Sequence, residues 1–378
     1  MAIPMRTPPA LALSLCISLL SQTLAMSVDL PFYVGTYTKK DGSKGIYQYQ
    51  LNTETGAVQG GELAIEATNP TFLALHPNGK TLYAANENNG GAVSAYSIEA
   101  DGKLKLLSQE STKGGGACHV WVDGAGKNAL AANYGGGSFA VLPIAKDGSV
   151  QPASAFVQAE GSSVNPQRQK QPHGHAIYTN SACTYAYGCD LGTDKVWIWR
   201  FDAEKGTLTA GEPAFAKLAP GSGPRHLALH PAGFAYVINE LSNTMTAFKV
   251  LDGGAKLEEV QTITTLPEGF DGQSSTAEVF IHPNGKFLYG SNRGHDSIVV
   301  YSIDQATGRL SLVEHVSTQG KGPRYFGLDP EGRFLLAANQ QTNNVIVFRV
   351  NAETGKLTPT GNSFEIGAPV SIQFAPRK

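Results

Sequence analysis

The sequence predicts an all-β chain, a seven-bladed β-propeller with one blade closed by both termini. The prediction rests on a recurring unit, on its spacing, and on two incomplete copies at the ends. The unit is seen by comparing "NPTFLALHPNGKTLYAANE", "GKGPRYFGLDPEGRFLLAANQ" and "STAEVFIHPNGKFLYGSNR". Each is an apolar strand, a turn at HPxG or DPxG, a second strand, and a closing Asn. Asn or Asp closes the second strand at Asn86, Asn133, Asp190, Asn239, Asn292 and Asn339, in steps of 47, 57, 49, 53 and 47 residues. Repeats of roughly 40–50 residues holding about four short strands are propeller blades. With 43 glycines and 21 prolines, the chain must turn often.

The elements follow in chain order. Residues 1–25 read as a signal peptide: Arg6, then an apolar run from Ala10 to Leu20, then "SQTLA" with Thr23 and Ala25 as the small residues of a cleavage site. The run is short for a membrane span, and no later segment is apolar enough to cross a bilayer. The mature chain, residues 26–378, is expected to be exported, to the periplasm or beyond, and to work as a monomer without membrane attachment.

Within residues 26–378, six copies of the unit are complete. Each second strand leads through a Gly/Asn-rich turn to a third: "AVSAYSI", "FAVLPI", "KVWIWRF", "TMTAFKV", "SIVVYSI" and "VIVFRV". "GAPVSIQFAP" near the C-terminus matches the first strand of the unit. "PFYVGTY" near the mature N-terminus matches the second, with Thr36 in the Asn column. One blade shared by both ends closes the ring and removes sheet edges. No second domain is expected. The segment from Gln158 to Gln171 is longer and more polar than its counterparts, and reads as a loop over one face.

Composition excludes some functions. The formal net charge of −2 becomes −3 once Arg6 is removed, and no Lys/Arg run stands out, which argues against nucleic acid and anionic membranes as partners. Loss of Cys16 with the signal leaves three cysteines. Cys183 and Cys189 lie six residues apart near opposite ends of one strand, roughly 20 Å, whereas a disulfide needs Cα atoms within about 7 Å. Free buried thiols are expected. No CxxC-type spacing points to a metal, and "GGGACHV" and "YGGGS" lack the following helix that makes a phosphate loop. No cofactor is expected.

The unit also says where chemistry belongs. The start of the first strand and the end of the second share the face opposite the HPxG turn, around the central funnel, a usual place for a ligand. Six residues before the turn proline or its equivalent, the column reads Thr71, Cys118, His175, Arg225, Ala277, Arg324 and Val370. Just after the Asn column it reads Tyr37, Glu87, Tyr134, Leu191, Glu240, Arg293 and Gln340. A structural column tends towards one residue type. These diverge, and His175, Arg225, Glu240 and Arg293 fall on three consecutive blades. His119, His226 and Glu278 stand one position further along the first strand, where side chains point the other way, and read as packing between blades. His76, His230 and His282 of the HPxG turns read as turn residues on the far face.

The motifs "VGTYT", "ANYGGGS", "PHGH", "DLGTDKV", "GPRHLALHP", "VINELSNT" and "SNRGHDSI" cover the mature chain in order. As a set they resemble the lactonase-type seven-bladed propellers, which include bacterial 6-phosphogluconolactonases and fungal carboxymuconate-lactonising enzymes. The resemblance implies an active site of a His, an Arg, a Glu and a second Arg, matched here by His175, Arg225, Glu240 and Arg293. Most characterised members are cytosolic, whereas this chain is expected to be exported.

The leading expectation is a hydrolase that opens a sugar-acid lactone by water attack. His175 is the candidate base, since imidazole titrates near neutrality. Arg225 and Arg293 suit an oxyanion or a substrate anion, because guanidinium is planar, always charged and bidentate. Glu240 between two arginines is expected to have a lowered pKa and to orient rather than abstract. His173, Glu87 and Arg324 are weaker candidates. Two alternatives stand beside this: a carboxymuconate-type cycloisomerase using the same residues in reverse, and a binding propeller without catalysis. Fold alone does not choose among them.

Overall fold

The structure, a computed structural model, describes residues 1, 2, 4, 29–38 and 42–376. The segment read as a signal peptide lies outside the described residues apart from its first few positions. The described strands form seven sheets of four strands each. Blades I to VI follow the chain, spanning 70–111, 117–158, 174–217, 224–264, 275–317 and 323–365. Blade VII takes Pro369–Phe374 from one end of the chain and Asp29–Thr36, Gly45–Asn52 and Val58–Glu66 from the other. The closure by both termini is therefore present, with Phe32 opposite Phe374 and Val34 opposite Ile372.

The first strand of each blade is innermost, and these seven strands touch one another in a closed ring. The interior is divided into seven apolar layers, one between each pair of neighbouring blades. Leu30, Phe32 and Tyr49 of blade VII pack on Tyr325, Phe334 and Leu336 of blade VI. The alternation of apolar residues on both faces of each sheet is what builds these layers.

Polar groups tie the blades at fixed places. Tyr83, Tyr187, Tyr236 and Tyr289 donate to the carbonyls of Gly148, Gly254, Gly308 and Gly355 in the next blade. The HPxG histidines do the same on the turn face, where His76, His230 and His282 bond the carbonyls of Gly126, Gly285 and Gly332. The Asn column is a brace as well. Asn86, Asn292 and Asn339 donate to the carbonyls of Thr68, Thr265 and Thr318 in the segments that enter their blades.

The three cysteines described are free thiols. Cys118 and Cys189 are buried, and Cys183 is half-buried in the turn before the strand Tyr185–Asp190.

Candidate active site

The funnel column occupies a particular backbone feature. In all seven blades the first strand carries one extra residue relative to the second, at the same place. Thr71, Cys118, His175, Arg225, Arg324 and Val370 are each skipped in the pairing, and the same offset occurs between Thr276 and Val279 in blade V. A bulge bends the strand and re-aims a side chain. Here the ring of bulges turns one residue per blade towards the axis.

The structure brings the four predicted residues together around Glu240. Its Oε2 lies 3.1 Å from Arg225 Nε, 3.1 Å from an Arg293 terminal nitrogen and 3.7 Å from His175 Nε2. A third guanidinium was not anticipated: Arg168 donates to Glu240 Oε1 at 2.7 Å and to the Tyr134 hydroxyl at 2.8 Å. Arg168 comes from the long polar loop after blade II. Loop length and polarity were the available signals, but no repeat column contains this position, so nothing singled out the residue. The loop returns against Gly192, where a Cβ would lie 1.9 Å from the Gln171 carbonyl oxygen.

Glu240 shows two opposed effects. Burial pushes its carboxyl up, but Arg293, Arg225 and Arg168 pull the other way and hold it at about 2. It is a carboxylate throughout the physiological range. His175 is held well below its ordinary value, first by burial and then by Arg225, His226 and Arg324. Its imidazole is neutral at neutral pH. Arg293 falls to about 10, chiefly through burial, against the pull of Glu240.

Arg225 and Arg293 turn out unequal. The Arg225 side chain is 3% exposed and uses Nε on Glu240 and Nη1 on the Ala277 carbonyl at 2.6 Å. The Arg293 side chain is 17% exposed at the end of the strand Phe287–Arg293 and gives one nitrogen to the Thr276 carbonyl. Arg293 is thus the more exposed of the two, while Arg225 is sealed on the floor of the funnel, held by Glu240 and the Ala277 carbonyl.

A second ion cluster faces the first across the funnel. Tyr37 donates to Glu87 Oε2 at 2.6 Å and accepts from Arg324 at 3.1 Å. Arg324 is itself 3.9 Å from Glu87. His173 stacks on Tyr134 at 4.5 Å and is held by its Nδ1 at the Tyr134 carbonyl.

Beneath the floor, Arg225 Nη1 donates to His226 Nε2 at 3.2 Å, and His226 Nδ1 meets Glu278 Oε1 at 2.7 Å. The strict alternation expected along the strand does not separate Arg225 from His226, because the bulge at Arg225 interrupts it. Burial pushes Glu278 up to about 8. His119 and Glu278 are almost wholly sealed, so this layer closes the floor from a cavity of about 580 Å³ reached from the turn face. Among the described residues no group of three or more His, Cys, Asp or Glu is placed to hold a metal ion. Burial raises the Cys118 thiol, which contacts the His175 carbonyl, to about 12, so it stays protonated.

The arrangement presents fixed cations, a neutral imidazole and a buried carboxylate to a small anionic or ester-like ligand. The sequence model of the family described as "Lactonase, 7-bladed beta-propeller" matches residues 31–374. The chain is similar to a 6-phosphogluconolactonase of Bacillus subtilis, 38% identical over 301 residues, covering 79% of this chain and 84% of the relative. It is 34% identical over 306 residues to a 6-phosphogluconolactonase of Formosa agariphila, covering 79% of this chain and 86% of that one. Its structure is similar to that of the periplasmic gluconolactonase of Pseudomonas aeruginosa, with a TM-score of 0.88, 33% identity, and coverage of 93% of this chain and 100% of that one. No described helix is long and apolar enough to cross a membrane. The chain therefore belongs to the seven-bladed β-propeller lactonase family and is an enzyme of the lactonase type.

Proposed function

We propose that this protein is an exported hydrolase that opens a sugar-acid lactone, with His175, Arg225, Glu240 and Arg293 as its working residues. The observation that carries the reading is a neutral imidazole 3.7 Å from a permanently ionised carboxylate, beside a partly exposed guanidinium. His175 takes a proton from water as the water oxygen attacks the lactone carbonyl. The Glu240 carboxylate stabilises the imidazolium that forms. Arg293 faces the developing oxyanion. The ring C–O bond then breaks, and the leaving oxygen takes the proton from His175, giving the hydroxy acid. Arg225 is a positioning residue in this scheme, since its donors hold Glu240 and the backbone.

Hydrolysis is favoured over cyclisation and over simple binding by the relatives, two named 6-phosphogluconolactonase and one named gluconolactonase. Titrating acid release by the mature protein against phosphorylated and unphosphorylated aldonolactones tests it. Rapid acid release that survives EDTA is expected. A protein that opens none of these lactones, or that needs an added divalent ion, would overturn the scheme. Export is tested by the mass of the protein from its host: loss of residues 1–25 is expected, and an intact N-terminus on a cytosolic protein would refute it.

A further inference from the structure

Three guanidiniums meet Glu240, and they are not equivalent. The side chains of Arg225 and Arg293 are 3% and 17% exposed, and both project from strands of the ring. The side chain of Arg168 is 40% exposed and projects from the loop. That loop is firmly held at the backbone. Asn165 Oδ1 accepts from the amides of Gln167 and Arg168. Gln169 is fully buried and donates to the Leu191 carbonyl and to Asp194 Oδ1, both at 2.8 Å. Ser163 bonds the same Asp194. Arg168 thus extends a half-exposed side chain from a fixed backbone, with its tip on Glu240 and Tyr134.

Charge balance separates it further. Arg225 and Arg293 already exceed the single charge of Glu240, so Arg168 is not needed to neutralise that carboxylate. Once off Glu240, it pairs more strongly with an anion than with a neutral acceptor, because charge-assisted pairs are the stronger ones. Its two present contacts, Glu240 Oε1 and the Tyr134 hydroxyl, are oxygen acceptors that a phosphate or carboxylate reproduces. An uncharged lactone can replace the Tyr134 hydroxyl with one of its own oxygens, but brings no charge in place of the Glu240 carboxylate.

Resting on the lactonase reading, we propose that Arg168 is the residue by which this site distinguishes anionic from uncharged sugar lactones. Its guanidinium exchanges Glu240 and Tyr134 for the anionic group of the substrate, and stays on Glu240 when the substrate has none. Glu240 keeps Arg225 and Arg293 in both states, so the reacting end of the site is undisturbed.

The test uses 6-phosphogluconolactone and gluconolactone, which differ only in the phosphate. Wild type should favour the phosphorylated lactone. Arg168→Gln should lose roughly tenfold to a hundredfold more in kcat/KM on it than on the uncharged one, with the extra loss mostly in KM. Arg168→Lys should recover part of the loss. An equal fall on both substrates would show that Arg168 merely supports Glu240, and an unchanged ratio, or no preference in wild type, would also overturn the proposal. Calorimetric titration with glucose 6-phosphate and glucose separates the two readings. A wild type that opens neither lactone ends the hydrolase reading. The role of Arg168 falls if Arg168→Gln binds glucose 6-phosphate as tightly as wild type.

Discussion

Glu240 and Glu87 occupy the same position in the repeat, one residue after the closing Asn of their blades, yet they live in different electrostatic settings. The Glu240 side chain is 6% exposed and meets three guanidiniums within 3.1 Å. The Glu87 side chain is 23% exposed and has a tyrosine hydroxyl at 2.6 Å and one guanidinium at 3.9 Å. Backbone geometry does not distinguish them. What differs is the side chains that neighbouring blades, and for Glu240 the loop, bring to each. A repeat fold thus makes equivalent positions by local hydrogen bonding and then gives them different chemistry through their neighbours.

The contrast is broken most severely by removing the buried charge. Glu240→Gln leaves Arg225 sealed without its carboxylate, and should cost about 3–5 kcal/mol in urea unfolding. Glu87→Gln should cost no more than about 1 kcal/mol, since its pair is longer and wetter. Similar losses in the two variants would mean that burial does not separate the clusters.

Next in size is the effect on turnover. If Arg293 faces the oxyanion, Arg293→Lys keeps a charge but loses the planar fork, and should lower kcat by roughly 100–1,000-fold with the fold intact. A rise in KM alone would assign Arg293 to ground-state binding instead. Arg324→Lys, the counterpart in the Glu87 cluster, should leave kcat within about tenfold of wild type by the same scale.

Acid should then expose the sealed side of the site. His119, His175 and His226 have folded pKa values well below their unfolded ones, mainly through burial. Stability from a histidine kept neutral is present above the unfolded value and is lost as pH falls through about 6.5. Glu278, raised to about 8, acts oppositely in the same range, because it is protonated when folded and ionised when unfolded. Three imidazoles outnumber one carboxyl, so unfolding takes up protons on balance and stability falls as pH drops from about 6.5 towards 5. Urea titrations at pH 5 and 6.5 check the sign; greater stability at pH 5 would contradict it.

The smallest effect is on the exposed side. Tyr37→Phe removes the hydroxyl that joins Glu87 to Arg324, and should cost about 0.5–1.5 kcal/mol, the net worth of an ordinary hydrogen bond. A loss several times larger, measured the same way, would show that this cluster is as closed as the one at Glu240.

Much of this arrangement was legible in the residues. The HPxG turns and the spaced Asn column located the blades, and the two half-units at the ends located the closure. Divergence within two columns singled out His175, Arg225, Glu240 and Arg293, because a position that varies while the backbone repeats is serving something other than the repeat. Arg168 was hidden for the converse reason: outside the repeat there was no column to compare it with. The unequal standing of Arg225 and Arg293 was hidden too, because both are arginines in funnel columns, and only the Ala277 carbonyl and His226 show where the donors of Arg225 are directed.

By itself the sequence determined the blade count, the sharing of one blade by both ends, and the face on which chemistry could sit. Those properties follow from hydrogen bonding and turns between residues near one another in the chain, which leave a periodic trace. The tertiary structure alone decided which charges meet: Arg168 with Glu240 across 72 residues, Arg324 with Tyr37 across 287. Such contacts depend on how whole sheets and a returning loop pack around the axis, and the energy of each pair depends on the water excluded there. Neither packing nor exclusion of water has a period for the sequence to display.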